Sequence, residues 1–189
     1  MAEILLFHHA QGQTPGFLAL AEEWRRAEHV VHTPDLYQGR TFDSLEAGLA
    51  YAGELGFDTL LEAGVRTADG LPPELVCAGL SLGVMPAQKL AQTRPGAQGA
   101  LLLHGCLPVS EFGDRWPVNV PVQIHAMEAG PYFEEDEEAA RALVASASQA
   151  ELFLYPGDQH LFTDRGLPAY DAGATALLLQ RVADFLKGC

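Results

Sequence analysis

Apolar residues in this chain follow two alternating patterns. Six short runs are almost continuously hydrophobic, at residues 4–8, 29–33, 75–80, 99–104, 122–127 and 150–155. Between them lie longer stretches with amphipathic, helix-like patterning, at 15–27, 45–56, 58–68, 82–93, 134–147 and 170–187. A strand with one wet face alternates apolar and polar residues, whereas one covered on both faces of a parallel sheet is apolar throughout. The pattern therefore predicts an α/β fold built on an open, doubly wound, mostly parallel six-stranded sheet with helices on both faces. Right-handed crossovers then place ligands beyond the carboxyl ends of the strands. No linker rich in Pro, Gly or Ser divides the chain, so residues 1–189 are expected to form one domain.

If the strands are parallel, the residues that follow them gather on one rim, and few of those residues carry chemistry. After the third run comes Gly79-Leu80-Ser81-Leu82-Gly83, a G-x-S-x-G pentapeptide between an apolar strand and a helical stretch. Strand, sharp turn, helix is the context that makes such a serine a nucleophile, held in a strained conformation above the sheet. In an ordinary strand-to-helix turn the same serine would be an N-cap. After the last run comes Pro156-Gly157-Asp158-Gln159-His160, and a late histidine there suits a general base for Ser81. The N–H of Leu82 and one from Ala10 or Gln11, after the first run, are the candidate oxyanion donors.

These segments together resemble the dienelactone hydrolase family: Phe7-His8-His9-Ala10-Gln11-Gly12, Pro34-Asp35-Leu36-Tyr37-Gln38-Gly39-Arg40-Thr41, the turn at Ser81, Pro121-Val122-Gln123-Ile124-His125, and Tyr155-Pro156-Gly157-Asp158-Gln159-His160-Leu161-Phe162. The resemblance runs nearly end to end. It implies a minimal α/β-hydrolase fold and hydrolysis of small esters or lactones without cofactor or metal, here with serine where the best-known members carry cysteine. One departure matters: the family pattern puts the triad aspartate just before Pro131, and this chain has Gly130. Glu128 lies two residues earlier, on the same side of an extended segment, and is the first candidate to replace it. Glu111 and Asp158 are the others. With no acid at all, the reading becomes a binding or regulatory protein that retains the pocket.

Tyr37, Arg40 and Trp116 are candidate substrate-binding residues, along with the aromatics Phe42, Phe112, Phe133 and Phe162. An arginine at the site would suit a substrate carrying a carboxylate. The segment 106–119 is expected to be a surface loop that shapes the pocket. His8, His9, His104 and His125 lie on or after strands, but their spacing matches no metal-ligand motif, so no metal is expected.

Composition narrows the field further. With 11 Lys plus Arg against 25 Asp plus Glu, the formal charge is −14, which disfavours nucleic acid and anionic membranes as partners. Much of it sits in Glu134-Glu135-Asp136-Glu137-Glu138, expected to open a helix, where carboxylates meet the positive end of the helix dipole. No apolar run approaches the roughly 18 residues of a membrane span. The N-terminal run is short and lacks a basic flank, and Cys77, Cys106 and Cys189 are few and scattered, so a reducing cytoplasm is the expected location. The expected partner is a small-molecule ester or lactone; oligomeric state is left open.

Overall fold

The computed structural model describes residues 1–189, the side chain of Pro131 excepted. The strands are β1 (Glu3–Phe7), β2 (Val30–His32), β3 (Leu75–Leu80), β4 (Gly99–Leu103), β5 (Val122–Met127) and β6 (Ala150–Tyr155). The helices are α1 (Pro15–Arg26), α2 (Leu45–Leu55), α3 (Phe57–Arg66), α4 (Val84–Thr93), α5 (Pro131–Ser146) and α6 (Ala172–Leu186). All six strands pair in parallel, in the order β2-β1-β3-β4-β5-β6. The chain thus steps from β1 to one side and returns to β3 on the other. That reversal leaves a crevice beyond the carboxyl ends of β1 and β3, where open α/β sheets bind ligands.

The unbroken hydrophobicity of the strands has a simple cause. Alternate residues of each inner strand enter two different cores. Leu5, Phe7, Leu75 and Cys77 pack with α4 and α5 on one face, and Ile4, Leu6, Val76 and Ala78 pack with α1 and α6 on the other. Burying each of the larger side chains contributes about 1.5–3 kcal/mol relative to exposure. A third, smaller cluster of Ala10, Tyr37, Ala52, Leu60 and Leu82 backs the loops that follow β1 and β3.

Helix α5 begins at Pro131, three residues before the acidic run, with Gly130 as its N-cap. A proline at the first helical position lacks only an N–H that would have had no partner, and its fixed φ suits the helix. The acidic run therefore lies from the first turn onward, and Gly130, where the resemblance would place an acid, is a capping residue.

Candidate active site

Ser81 follows β3 at once, in a 3-10 turn of residues Ser81–Gly83 that leads into α4. Its φ is 50°, a left-handed conformation that costs a non-glycine residue about 1–2 kcal/mol. The flanking glycines make that turn possible. A Cβ at Gly79 would lie 2.1 Å from the Gly83 carbonyl oxygen, and one at Gly83 would lie 2.5 Å from the Phe7 carbonyl oxygen. A side chain at Gly79 would push the turn off β3, and one at Gly83 would push it off β1.

Across the crevice, His160 Nε2 lies 2.9 Å from Ser81 Oγ. Tyr132 of α5 stacks on the His160 ring with centroids 4.5 Å apart, and His104 meets it edge-on at 5.9 Å. Burial, with a smaller contribution from nearby His9, lowers the His160 pKa to about 4. The imidazole is therefore neutral at neutral pH and able to accept the serine proton.

The loop after β1 is held by a buried polar network. His9 Nε2 is 2.9 Å from Asp164 Oδ2, the Thr14 hydroxyl donates to the same oxygen, and the Gly166 N–H donates to Oδ1 at 2.8 Å. Those donors hold the Asp164 carboxyl below its usual range against the opposing effect of burial. The N–H of Gln11 donates to His9 Nδ1 at 3.2 Å, and its side chain donates to the Phe42 carbonyl. Gln11 therefore differs from its sequence-based role: its N–H faces the histidine ring. The adjacent N–H of Ala10 and that of Leu82 have no hydrogen-bond partner among the described residues.

The carboxylates expected to orient His160 are not brought to it. Glu128 and Asp158 are exposed, and Asp158 accepts from the Gln159 side chain. Glu111 is exposed at the end of a short 3-10 turn after β4. No carboxylate hydrogen-bonds His160 among the described residues. The space beside its ring is instead a narrow recess lined by His104, Gly130, Tyr132 and Gln159. The strand geometry explains Glu128: it has left β5, and its N–H is tied to the Tyr155 carbonyl while its side chain faces solvent.

The expected substrate-binding residues lie elsewhere too. Tyr37 is buried, its hydroxyl donating to the Gly48 carbonyl and its pKa pushed up to about 12 chiefly by burial. Trp116 is buried in the α5-side core and donates to the Val120 carbonyl at 2.6 Å. Arg40 is exposed, its guanidinium 5.1 Å from the centroid of the Tyr51 ring. Both aromatics close gaps behind loops instead of lining the crevice. Nor do the four strand-end histidines converge. His8 donates from Nδ1 to the His9 carbonyl and accepts from the Leu36 N–H, while His104 pairs with Thr163 and His125 with Tyr155.

The cleft beside Ser81 is walled by the start of the loop expected to shape the pocket and by α5 residues that strand-end reasoning passed over. Cys106 and Leu107 after β4, and Tyr132, Glu135 and Asp136 from α5, surround it with Ser81 and His160. Asp136 Oδ2 accepts from the Cys106 N–H at 3.1 Å. Burial pushes the Asp136 carboxyl up to about 6, the Cys106 N–H pulls it back, and Glu135 adds to the rise. Burial and Asp136 push the Cys106 thiol up to about 12, so it is no thiolate. The acidic run was the only sequence signal for Asp136, and that run reads first as a solvated helix face. Asp164 had no signal beyond lying four residues after His160.

A profile of the dienelactone hydrolase family matches residues 2–189. The chain belongs to the dienelactone hydrolase family. It is therefore a member of a hydrolase family, and solved structures agree on the fold. A dienelactone hydrolase-like promiscuous phosphotriesterase from metagenomic libraries superposes with a TM-score of 0.75 at 17% identity, covering 99% of this chain and 86% of the other. A putative dienelactone hydrolase from Klebsiella pneumoniae subsp. pneumoniae MGH 78578 gives 0.67 at 17% identity, covering 96% and 85%. Thermogutta terrifontis esterase 2, phosphonylated by sarin, gives 0.67 at 14% identity, covering 97% and 84%. Comparison with curated proteins finds no match. Among the described residues, no helix of this family member is long and apolar enough to cross a membrane.

Proposed function

We propose that the protein hydrolyses small carboxylic esters or lactones, with Ser81 as nucleophile and His160 as general base. The observation that carries this reading is the 2.9 Å contact between Ser81 Oγ and a half-buried, neutral His160 Nε2, made by a serine at positive φ. Ser81 Oγ attacks the ester carbonyl carbon as its proton passes to His160 Nε2. The N–H groups of Leu82 and Ala10 receive the oxyanion. Collapse breaks the bond to the alcohol oxygen, which leaves with the proton from His160, and Ser81 is left acylated. Water, deprotonated by His160, then attacks the acyl carbon; the acid is released and the serine regains its proton. The fold shared with an esterase supports the substrate class.

A second reading, a pocket that binds such molecules without turning them over, is favoured by the lack of a carboxylate on His160. Hydrolysis of p-nitrophenyl acetate by wild type, Ser81→Ala and His160→Ala separates the two. With no carboxylate on His160, we expect both variants to lose about 10²-fold in kcat/KM while keeping wild-type circular dichroism. Equal residual turnover in all three proteins would favour the binding reading.

A further inference from the structure

The charges around the Ser81 cleft are of one sign. Its wall includes Asp136 and Glu135 and no lysine or arginine, and its two histidines, His104 and His160, both have pKa values lowered by burial. Asp136 is the one that reaches inward. A point one Cβ bond from Gly105 lies 3.4 Å from Asp136 Oδ2 and 3.7 Å from Ser81 Cα, so the carboxylate and the serine backbone border the same small space. One Asp136 oxygen is held by the Cys106 N–H, and the other has no partner among the described residues. Tyr132 contributes an aromatic ring to the same wall. Past Asp136 lies an open groove of about 520 Å³ between α5 and the loop after β4, lined by Pro108, Val109, Ala139 and Ala142 with Glu138 beside them.

We propose that Asp136 sets the substrate class of this site, selecting esters that carry a cationic group, such as an ammonium, on a short apolar stem. The inference rests on the hydrolase reading of Ser81 and His160. A carboxylate partly withdrawn from water attracts a nearby cation more strongly than an exposed one does and repels an anion equally. An aromatic face adds to the attraction for a quaternary ammonium. The surplus of acidic residues, 25 against 11 basic, steers in the same direction. The expectation from Arg40 of a carboxylate-bearing substrate is thereby reversed, since Arg40 stands outside this wall.

The test uses matched esters at about pH 8, where an aspartate with a pKa near 6 is ionised. One series comprises p-nitrophenyl esters of trimethylammonio-butanoate, of its tert-butyl isostere and of adipate. A second comprises the acetates of choline and of its neutral carbon isostere, so that the charge is carried on either side of the scissile bond. We expect wild type to favour the cation over its isostere by about tenfold in kcat/KM in at least one series, with the adipate half-ester the poorest. In Asp136→Asn, whose amide oxygen still accepts from Cys106, the ratio should fall toward unity. Ser81-dependent turnover with no charge preference in either series overturns the inference and leaves the hydrolase reading standing. A preference that survives Asp136→Asn overturns the assignment to Asp136. Turnover of none of the esters removes the hydrolase reading and this inference with it.

Discussion

The two banks of the crevice are built to different standards. On the β1/β3 side, Ser81 is fixed by glycines that admit no side chain, and the neighbouring loop is tied down by His9, Thr14, Gly166 and a buried Asp164. On the β5/β6 side, Glu128 and Asp158 are exposed, Gly130 carries no side chain, and one ring nitrogen of His160 has no carboxylate partner. Ser81 holds one strained conformation, and only dense packing maintains that. The group that orients a base acts through one hydrogen bond, and its loss leaves the fold intact. Backbone geometry is thus fixed on one bank, while the other leaves His160 without a carboxylate partner among the described residues.

The largest expected effect comes from breaking the rigid bank. Asp164→Ala leaves the His9 ring N–H, the Thr14 hydroxyl and the Gly166 N–H without their acceptor in a buried place, at a cost of about 3–5 kcal/mol. For a chain of this size that lowers the melting temperature by about 6–20 °C. Scanning calorimetry would check it, and an unchanged Tm would mean that the network holds nothing together.

Restoring the open bank should have a smaller effect, of opposite sign. Gly130 has φ −76°, open to any residue, and a Cβ there would stand 3.2 Å from the Asp158 carbonyl oxygen, so a side chain fits with a small local shift. Gly130→Asp is expected to raise kcat/KM for p-nitrophenyl acetate by about tenfold, a part of what a triad aspartate contributes in serine proteases. Glu128→Gln, by contrast, should change it by less than about twofold. A large loss in Glu128→Gln would show that the exposed glutamate does reach His160 during turnover.

The pH profile sharpens the same contrast at the lowest cost in perturbation. His160 is lowered from 6.5 to about 4, so the acid limb of kcat/KM should fall with a midpoint near 4, as protonation removes the base. In Gly130→Asp a carboxylate favours the imidazolium, so that midpoint should move up by about one unit. Stability follows three other buried histidines. His8 at about 4, His125 at about 3, and His104 well below 6.5 all bind protons more readily unfolded than folded. Their contribution is complete above 6.5 and is lost as pH falls toward 3, whereas Asp136, raised to about 6, acts the other way between 3.8 and 6. Thermal melts from pH 7 down to 4 should therefore show a falling Tm, and a flat profile would contradict the burial of these rings.

The sequence alone determined the architecture, because apolar runs such as 99–104 and 122–127 are strands by composition and are covered on both faces. It also determined the turn at Ser81 and its histidine partner, since both occupy strand ends, and parallel strands leave no other place for those ends to go. The start of α5 was less legible: the acidic run drew attention to 134, while Pro131 begins the helix. Tertiary structure alone decided what surrounds the pair. Tyr37 and Trp116, expected at the pocket, fill the backs of loops, and Gln11 turns its N–H to a histidine two residues away. Asp164 and Asp136 gained their surroundings from partners 155 and 30 residues distant, His9 and Cys106. Hydrophobic periodicity is a local property and survives in the sequence, whereas the desolvation and pairing of a carboxylate depend on which loops fold over it.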